Sequence, residues 1–368
     1  MNLLNPLVSI CVPTFNRRDF IWRAIESSMH QTYKNIEIVV VDNASTDNTR
    51  EIVLKYVARD KRIKFFENAT NVGSGNNYLK CAEYATGEFM QALGSDDWLS
   101  RNYIEESIKN FSQNLDTAAI MTNVITLELQ KNNHFRFIGE NITRPGKYSA
   151  DWFFRNVLNE PHLGSKGYLS LMRREDFIRS LKTELKRPTS LIKREGGMPE
   201  PIDGIIFWGV LSNYKHFIVI NDSAYIAGAN VRGSVGMQGG FAEREDGYIY
   251  YSLALRRCYE SFCASSEKMK KYQRRIHFFQ GLSILADTFS RFFKQKVGFG
   301  KWGKTISTLF NVFFSDYSLK DKLLISVALP FYFLFRTTKG FARLFYKPPA
   351  FVPSQNYFLT NEFIFEAK

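Results

Sequence analysis

Four apolar runs, separated by segments of helical period, fill the first 115 residues of the chain. The runs are Leu7–Val12, Ile36–Val41, Ile63–Phe66 and Glu88–Leu93. The segments with a helical period lie between and after them, over Phe20–Met29, Asn48–Val57, Asn77–Tyr84 and Asn102–Phe111. Strands and helices that alternate at these lengths predict right-handed βαβ units, and therefore an α/β fold built on a parallel sheet.

Short strands predominate in the next part of the chain. The predicted strands are Ala118–Glu128, His134–Ile138, Tyr168–Met172, His216–Ile220 and Ala224–Ala227. The predicted helices are Arg174–Leu181 and Asp203–Tyr214, and Arg173 with Arg174 is interpreted as the solvated start of the first. This change of pattern divides residues 1–248 into two halves, 1–115 and 116–248.

The positive charge of the chain is concentrated towards its C-terminus. Residues 250–347 contain 18 Lys and Arg against 5 Asp and Glu, an excess of +13 that equals the formal net charge of the whole chain. We therefore predict a charge-balanced domain at residues 1–248, a basic, Phe-rich helical region at 249–347, and a C-terminal tail at 348–368.

The basic region has the composition of a membrane-surface element. Short apolar helices flanked by Lys and Arg are typical of amphipathic helices that lie in the headgroup plane of an anionic bilayer. The alternative is a helical subdomain that packs on the main domain or on a second subunit, which leaves the oligomeric state open. Nucleic acid is not an expected partner, because the apolar content is too high for a phosphate-binding arm and no nucleic-acid motif occurs.

Cysteine usage and hydropathy indicate the compartment. The four Cys residues show no paired spacing, which predicts reduced thiols. No run reaches the roughly 18–20 apolar residues that a membrane-spanning helix needs, and the first residues do not have the pattern of a secretory signal. We expect a cytoplasmic protein that binds peripherally at the inner face of the plasma membrane.

Carboxylates follow two of the predicted strands. Asp42 ends the second strand, and the pair Asp96-Asp97 follows the fourth. The carboxyl ends of neighbouring parallel strands converge on one crevice, where open α/β sheets bind ligands. A lone Asp suits the N3–H of uracil or thymine, and an acidic pair suits a divalent cation on a diphosphate. The alternatives are an Asx-turn at Asp42 and a helix cap at the pair.

Five motifs resemble those of the family 2 glycosyltransferases, which have the GT-A fold. The motifs are Val8–Arg17, Glu37–Thr49, Asn71–Gly73, Ala85–Phe89 and Gly94–Asp97. The segment Asn76–Cys81 is similar to the abequosyltransferase-like branch, whose members build bacterial surface polysaccharides. The resemblance covers about residues 7–115. It implies a Rossmann-like mixed sheet flanked by helices, which in this chain is followed by a basic C-terminal helical extension.

The resemblance also implies an activity and a set of site residues. The implied reaction is an inverting, metal-dependent transfer of one hexose or deoxyhexose from a nucleoside-diphosphate sugar, with UDP or dTDP favoured, to a lipid-linked saccharide of lipopolysaccharide O-antigen or capsule. Residues 1–115 would bind the donor and 116–248 the acceptor. Donor-binding candidates are Pro13, Thr14, Phe15, Asn16, Asp42, Asn71, Gly73, Lys80, Ser95, Asp96 and Asp97. Asp96 and Asp97 are also the candidate ligands of Mn²⁺ or Mg²⁺.

An inverting enzyme needs a base that removes the proton of the acceptor hydroxyl. The resemblance implies that an acidic residue at the start of a helix beyond the second half of the sheet supplies this base. Asp203 fits this position best, Glu200 is the alternative, and Glu195 comes next. A helix N-cap is the structural alternative for Asp203.

Two positions depart from the common family pattern. Gly94 stands where many relatives have Asp, and Tyr78 stands where many have Arg, whose charge Lys80 is expected to replace. Two other functions stay open. One is a nucleotide-sugar-binding scaffold with a degenerate active site. The other is a sugar nucleotidyltransferase, although Leu7–Phe20 lacks the Gly-rich basic loop typical of that class.

Overall fold

The computed structural model describes most of the N-terminal two thirds of the chain and a few helical residues beyond it. The described residues are 5–129, 135–141, 144–156, 169–186, 202–229, 269–272, 278, 319–320 and 322–328. Glu195, Glu200 and the predicted tail at 348–368 lie outside them.

The chain divides into two compact units. The first contains Met1–Pro188, Ile202–Gln238 and Pro353–Lys368, and the second contains Thr189–Pro201 and Gly239–Val352. The first unit includes the whole sheet. The predicted boundaries of the domain, the basic region and the tail stay predictions.

The first unit alternates strands and helices and then becomes rich in strands. Its strands are β1 (Val8–Thr14), β2 (Ile36–Asp42), β3 (Ile63–Glu67), β4 (Phe89–Ala92), β5 (Trp98–Leu99), β6 (Thr117–Leu129), β7 (Phe135–Asn141), β8 (Gly146–Ser149), β9 (Leu171–Arg173) and β10 (His216–Ala229). Its helices are α1 (Ile21–Met29), α2 (Thr49–Val57), α3 (Ser74–Tyr84), α4 (Tyr103–Gln113), α5 (Ala150–Asn156), α6 (Arg174–Leu185) and α7 (Ile202–Leu211).

The described strands form one mixed sheet in the order β3-β2-β1-β4-β9-β6-β10-β5, with β7 beside β6 and β8 beside β10. The first four strands of this order are parallel, as the βαβ pattern predicts. β9 runs antiparallel to both of its neighbours, β4 and β6. On the far side of β9, strands β6 and β10 are parallel to each other. The predicted mixed α/β sheet is therefore confirmed.

The central strands are apolar because both of their faces are buried, as is usual for parallel sheets covered by helices. Ile10 and Ile38 point to one face, where they share a core with Ile25 of α1. Cys11 points to the other face, where its Sγ contacts the carbonyl of Cys81 on α3. Both thiols are free and buried. Burial of each large aliphatic side chain stabilises the fold by roughly 1.5–3 kcal/mol.

The second half of the sheet refines two of the predictions. The two strands predicted at its end are one strand, β10, whose register shifts between Ile220 and Ala224. The interpretation of Arg173 and Arg174 as a solvated helix start is wrong. Arg173 Nη1 donates to the carbonyl of Thr117 at 2.9 Å, and Arg174 Nε donates to the carbonyl of Gly87 at 2.9 Å. Both arginines therefore fasten α6 to backbone carbonyls of the main core.

The described residues of the second unit are helical. On residues 319–320 and 322–328, Leu319, Leu323 and Val327 are 75%, 62% and 67% exposed, while Ile325 is buried. Among the described residues, no helix combines the length and the hydropathy needed to cross a bilayer.

Candidate functional site

The candidate site residues share an edge because β1 lies between β2 and β4. Parallel pairing places Thr14 beside Asp42 and Cys11 beside Ala92. The three strands therefore present their carboxyl ends at the same side of the sheet, where open α/β sheets bind ligands. The convergence predicted from the sequence is present in the fold.

The loop after β1 connects the two acidic positions. Asn16 adopts a left-handed conformation with φ of 51°, and its amide donates to Ser45 Oγ at 2.8 Å. Ser45 in turn donates to Asp42. The next loop residue, Arg17, places Nε 3.9 Å from Asp96 Oδ2. A continuous series of contacts therefore runs from Asp42 to Asp96 across the end of β1.

The Asp42 carboxylate lies in a local turn. Its Oδ1 accepts from Ser45 Oγ at 2.5 Å, and its Oδ2 accepts from the Ser45 amide at 3.3 Å. Burial raises the pKa of Asp42, although the hydrogen bonds from Ser45 oppose that shift. Asp42 thus forms the Asx-type turn that was the alternative prediction for this residue. The same carboxylate also lies at the carboxyl end of β2.

Asn71, Gly73 and Lys80 belong to an amide network next to β2. Asn43 Nδ2 donates to Asn71 Oδ1 at 2.8 Å, and Asn68 Nδ2 donates to Asn43 Oδ1 at 3.0 Å. Gly73 precedes α3 with φ of 83°, a conformation that favours glycine. Lys80 Nζ donates to Asn68 Oδ1 at 2.7 Å. The network therefore holds the Lys80 ammonium, and its role as a substitute for the family's Arg stays a prediction.

The acidic pair belongs to a tight turn after β4. The Asp97 amide donates to the Gly94 carbonyl at 3.0 Å, with Ser95 buried inside the turn. Tyr225 of β10 closes this turn from the other half of the sheet. Its hydroxyl accepts from the Gly94 amide at 2.9 Å and donates to Asp97 Oδ2 at 2.7 Å. Tyr225 therefore fixes both the backbone and the carboxylate of the turn.

Gly94 leaves the space that the Asp97 carboxylate occupies. A Cβ at position 94 would lie 2.5 Å from Asp97 Oδ2, far inside van der Waals contact. Any larger residue at position 94 would therefore require the Asp97 carboxylate to move. Tyr225 is not among the residues predicted for the site, because it lies 128 residues from Asp97 and no local motif marks it.

Two buried arginines adjoin Asp96. Arg17 is 5% exposed, and its Nη1 donates to backbone carbonyls of its own loop. Arg23 of α1 is also buried, and burial lowers the pKa of Arg23 to about 10 against the opposing charge of Asp96. Neither arginine is among the residues predicted for the site, although Arg17 directly follows the candidate residue Asn16.

The donor set fits a cation that binds together with a substrate. Among the described residues, no cluster of three or more His, Cys, Asp or Glu side chains could hold a metal by itself. Asp96 and Asp97 offer two carboxylates at the ligand edge. Mg²⁺ is commonly held by one or two carboxylates together with substrate phosphates, so Asp96 and Asp97 are the residues that would hold a cation bound together with a diphosphate.

The candidate catalytic acid lies in the second half of the first unit. The helix predicted from Asp203 is present as α7, and Asp203 is its second residue. The aromatic residues Phe207 and Trp208 anchor this helix in the core against Phe153. The alternatives Glu200 and Glu195 lie outside the described residues, so the choice among the three stays a prediction.

A mixed sheet with flanking helices, whose parallel half ends in Asp42 and an acidic turn, defines an α/β fold of the GT-A type. Residues 9–177 match the family model described as "Glycosyl transferase family 2". This match covers just under half of the chain, so residues 9–177 are similar to a glycosyltransferase family 2 domain. The abequosyltransferase-like branch stays a prediction.

Curated relatives match about a third of the chain. An uncharacterized glycosyltransferase of Haemophilus influenzae is 34% identical over 109 residues, which is 30% of this chain and 44% of the relative. The putative teichuronic acid biosynthesis glycosyltransferase TuaG of Bacillus subtilis is 34% identical over 104 residues, which is 28% of this chain and 41% of TuaG. This chain matches less than half the length of these relatives.

Solved structures share the fold over most of the chain. S. aureus TarS 1-349 in complex with UDP-GlcNAc has a TM-score of 0.56 at 20% identity, covering 84% of this chain and 80% of that chain. The mannosyltransferase PcManGT of Pyrobaculum calidifontis, in complex with GDP-Man and Mn²⁺, has a TM-score of 0.50 at 18% identity, covering 94% and 82%. At these identities the likeness concerns the fold alone.

Proposed function

We propose that this chain is an inverting glycosyltransferase. It moves one sugar from a nucleoside-diphosphate sugar to a lipid-linked saccharide during synthesis of a bacterial surface polysaccharide. The observation that carries the proposal is the shared edge of β1, β2 and β4, where Asp42 and the Asp96-Asp97 turn are joined through the loop of Asn16 and Arg17. Asp42 would bind the base of such a donor, and the Asp96-Asp97 pair would bind its diphosphate.

Donor recognition divides between the two strand ends. Asp42 accepts the N3–H of a uracil or thymine ring, which favours UDP and dTDP sugars, while Pro13–Asn16 lies beside the base. Asp96 and Asp97 face the diphosphate. A bound Mn²⁺ or Mg²⁺ there would neutralise charge on the departing diphosphate. The complexes of TarS with UDP-GlcNAc and of PcManGT with GDP-Man support this class of donor.

The chemical step exchanges one C–O bond for another. Asp203 removes the proton of an acceptor hydroxyl, whose oxygen attacks the anomeric carbon from the face opposite the diphosphate. The bond from that carbon to the phosphate oxygen breaks, and the nucleoside diphosphate leaves with the bonding electrons. Attack opposite the leaving group inverts the anomeric configuration.

The proposed acceptor and location are supported by the described residues of the second unit. Leu319, Leu323 and Val327 form an exposed apolar face on a helix that also carries Lys320 and Lys322. Apolar side chains flanked by lysines complement an anionic bilayer, whose surface attracts each basic residue by roughly 1 kcal/mol. The helix would hold the enzyme at the inner face of the plasma membrane, next to a lipid-linked acceptor. The relation to TuaG supports a cell-surface polysaccharide.

The decisive experiment measures Mn²⁺-dependent hydrolysis of UDP-, dTDP-, GDP- and CDP-sugars by the purified chain. We expect hydrolysis of one pyrimidine diphosphate sugar with release of the free sugar. Asp96→Ala should abolish it, because the metal and the diphosphate lose their ligand. Asp19→Ala is the matched control, since Asp19 follows the same loop but is exposed and pairs only with Arg18 among the described residues.

Three other results would contradict the proposal. Binding of a nucleotide sugar without hydrolysis or transfer would favour the scaffold with a degenerate site, for which Gly94 is the supporting feature. Release of pyrophosphate from a nucleoside triphosphate and a sugar phosphate would favour a nucleotidyltransferase. Full activity of Asp96→Ala would remove the proposed role of the acidic pair.

A further inference from the structure

A buried guanidinium N–H is aimed at the acidic turn without forming a hydrogen bond. Arg17 is 5% exposed, and its Nη1 donates to the carbonyls of Phe15 at 3.2 Å and Asn16 at 3.1 Å. Its Nε finds no hydrogen-bond acceptor among the described residues. The Asp96 carboxylate, 3.9 Å away, attracts this group as an ion pair at a distance too long for a hydrogen bond.

Arg17 is held in this position by its backbone. Its amide donates to Thr49 Oγ1 at 2.8 Å, and its carbonyl accepts from the amide of Ile21, the first residue of α1, at 2.9 Å. The side chain therefore projects from a loop that is fastened to two helices. Its guanidinium is held next to Asp96 by this backbone and by the carbonyls of Phe15 and Asn16.

A second buried guanidinium adds to the same charge. Arg23 lies over the rings of Phe20 and Trp98, at 5.4 and 5.8 Å from their centroids, and is close enough for the Asp96 charge to act on it. Arg17 and Arg23 together carry two positive charges beside the two carboxylates of Asp96 and Asp97. The formal charges of these four side chains sum to zero.

We propose that the two arginines make cation binding conditional on the diphosphate. The inference rests on the proposed function and adds a role for residues outside the predicted site. A divalent cation that approaches the turn alone meets two buried positive charges, which solvent screens little. A nucleoside diphosphate brings negative charge and further oxygen ligands, so the cation and the nucleotide bind as one unit. By linkage, each raises the affinity of the other by the same factor.

The test is a Mn²⁺ titration of the full chain, read by the EPR signal of the free ion, without and with UDP. For the native protein we expect UDP to raise the Mn²⁺ affinity at least about tenfold. Arg17→Gln removes one buried positive charge, so the affinity for Mn²⁺ alone should rise about tenfold. Arg17→Lys keeps the charge and should resemble the native protein.

Arg18→Gln is the matched control. It removes the same charge one residue away, but the Arg18 side chain is 55% exposed and pairs with Asp19 at 3.5 Å, so its effect on Mn²⁺ affinity should be less than twofold. Thermal unfolding of each variant verifies that it is folded. If Arg17→Gln does not fold, the native protein and Arg17→Lys still test the conditional binding.

Three results would overturn the inference. They are equal Mn²⁺ affinity of the native protein with and without UDP, an unchanged metal-alone affinity in folded Arg17→Gln, and equal shifts for Arg17→Gln and Arg18→Gln. Failure of the proposed function looks different, since it appears as absence of donor hydrolysis, whereas the Mn²⁺ titration with UDP measures binding alone. The metal-alone titration of Arg17→Gln would still report on the charge of Arg17.

Discussion

Tyr225→Phe tests whether the hydrogen bonds of the Tyr225 hydroxyl are needed to hold the turn after β4. The variant deletes one hydroxyl from a fully buried ring and leaves the packing surface in place. Two hydrogen bonds disappear, one donated to Asp97 Oδ2 at 2.7 Å and one accepted from the Gly94 amide at 2.9 Å. A hydrogen bond to a charged group contributes about 1.5–3 kcal/mol and a neutral one about 0.5–1.5 kcal/mol.

The expected loss divides between stability and activity. Asp97 is partly exposed, so water replaces part of the lost bond, and the free energy of unfolding should fall by about 1–3 kcal/mol. A carboxylate that is no longer oriented also binds the diphosphate less well in the transition state. Each 1.4 kcal/mol lost there lowers kcat/KM about tenfold. We therefore expect kcat/KM for hydrolysis of the preferred donor to fall about 10- to 100-fold.

Tyr103→Phe is the matched control. Tyr103 is fully buried on α4, and its hydroxyl donates to the Leu169 carbonyl at 2.8 Å, away from the acidic turn. This variant should lose about 0.5–1.5 kcal/mol of stability in urea unfolding and keep the native kcat/KM. If Tyr225→Phe loses stability but keeps native kcat/KM, Tyr225 is a packing residue only and the reasoning about the turn is refuted.

Three further variants test other parts of the account. Because burial raises the pKa of Asp42, the ionised carboxylate destabilises the fold. Asp42→Asn should therefore have a higher free energy of unfolding than the native protein at pH 7, and this difference should disappear below about pH 4. The variant should also have a raised KM for the donor. Equal stability curves would contradict this. Asp203→Asn should lower kcat at least about 100-fold with little change in donor KM, and normal turnover would transfer the role of base to another acid. Leu323→Glu should weaken cosedimentation with anionic vesicles about tenfold or more relative to Ser326→Glu, which makes an equal charge change on the same helix. Equal binding of the two variants would remove the membrane role of this helix.

Local patterns predicted the donor half of the fold well. Apolar runs and helical periods are properties of neighbouring residues, and β1, β2 and β4 lie close to their predicted bounds. The convergence of Asp42 and Asp96 followed from the rule that parallel strands end at one edge of the sheet. That part of the site needed no contact between distant segments.

Contacts between distant segments determine what the sequence did not reveal. Tyr225 reaches Gly94 because β10 pairs with β5, where Tyr225 lies opposite Leu99, and no residue near either strand indicates that register. Arg173 was predicted to lie at the solvated start of a helix, yet its guanidinium lies 5.1 Å from the centroid of the Phe111 ring. Both positions depend on how the two halves of the sheet meet.

The most direct measurement is a crystal structure of the chain with UDP and Mn²⁺. The account predicts the uracil ring beside Asp42, the diphosphate beside the Gly94–Asp97 turn, and the ion between the phosphate oxygens and the carboxylate of Asp96. A nucleotide bound elsewhere on the sheet, or bound at this edge with Asp96 turned away from both the ion and the phosphates, would contradict it.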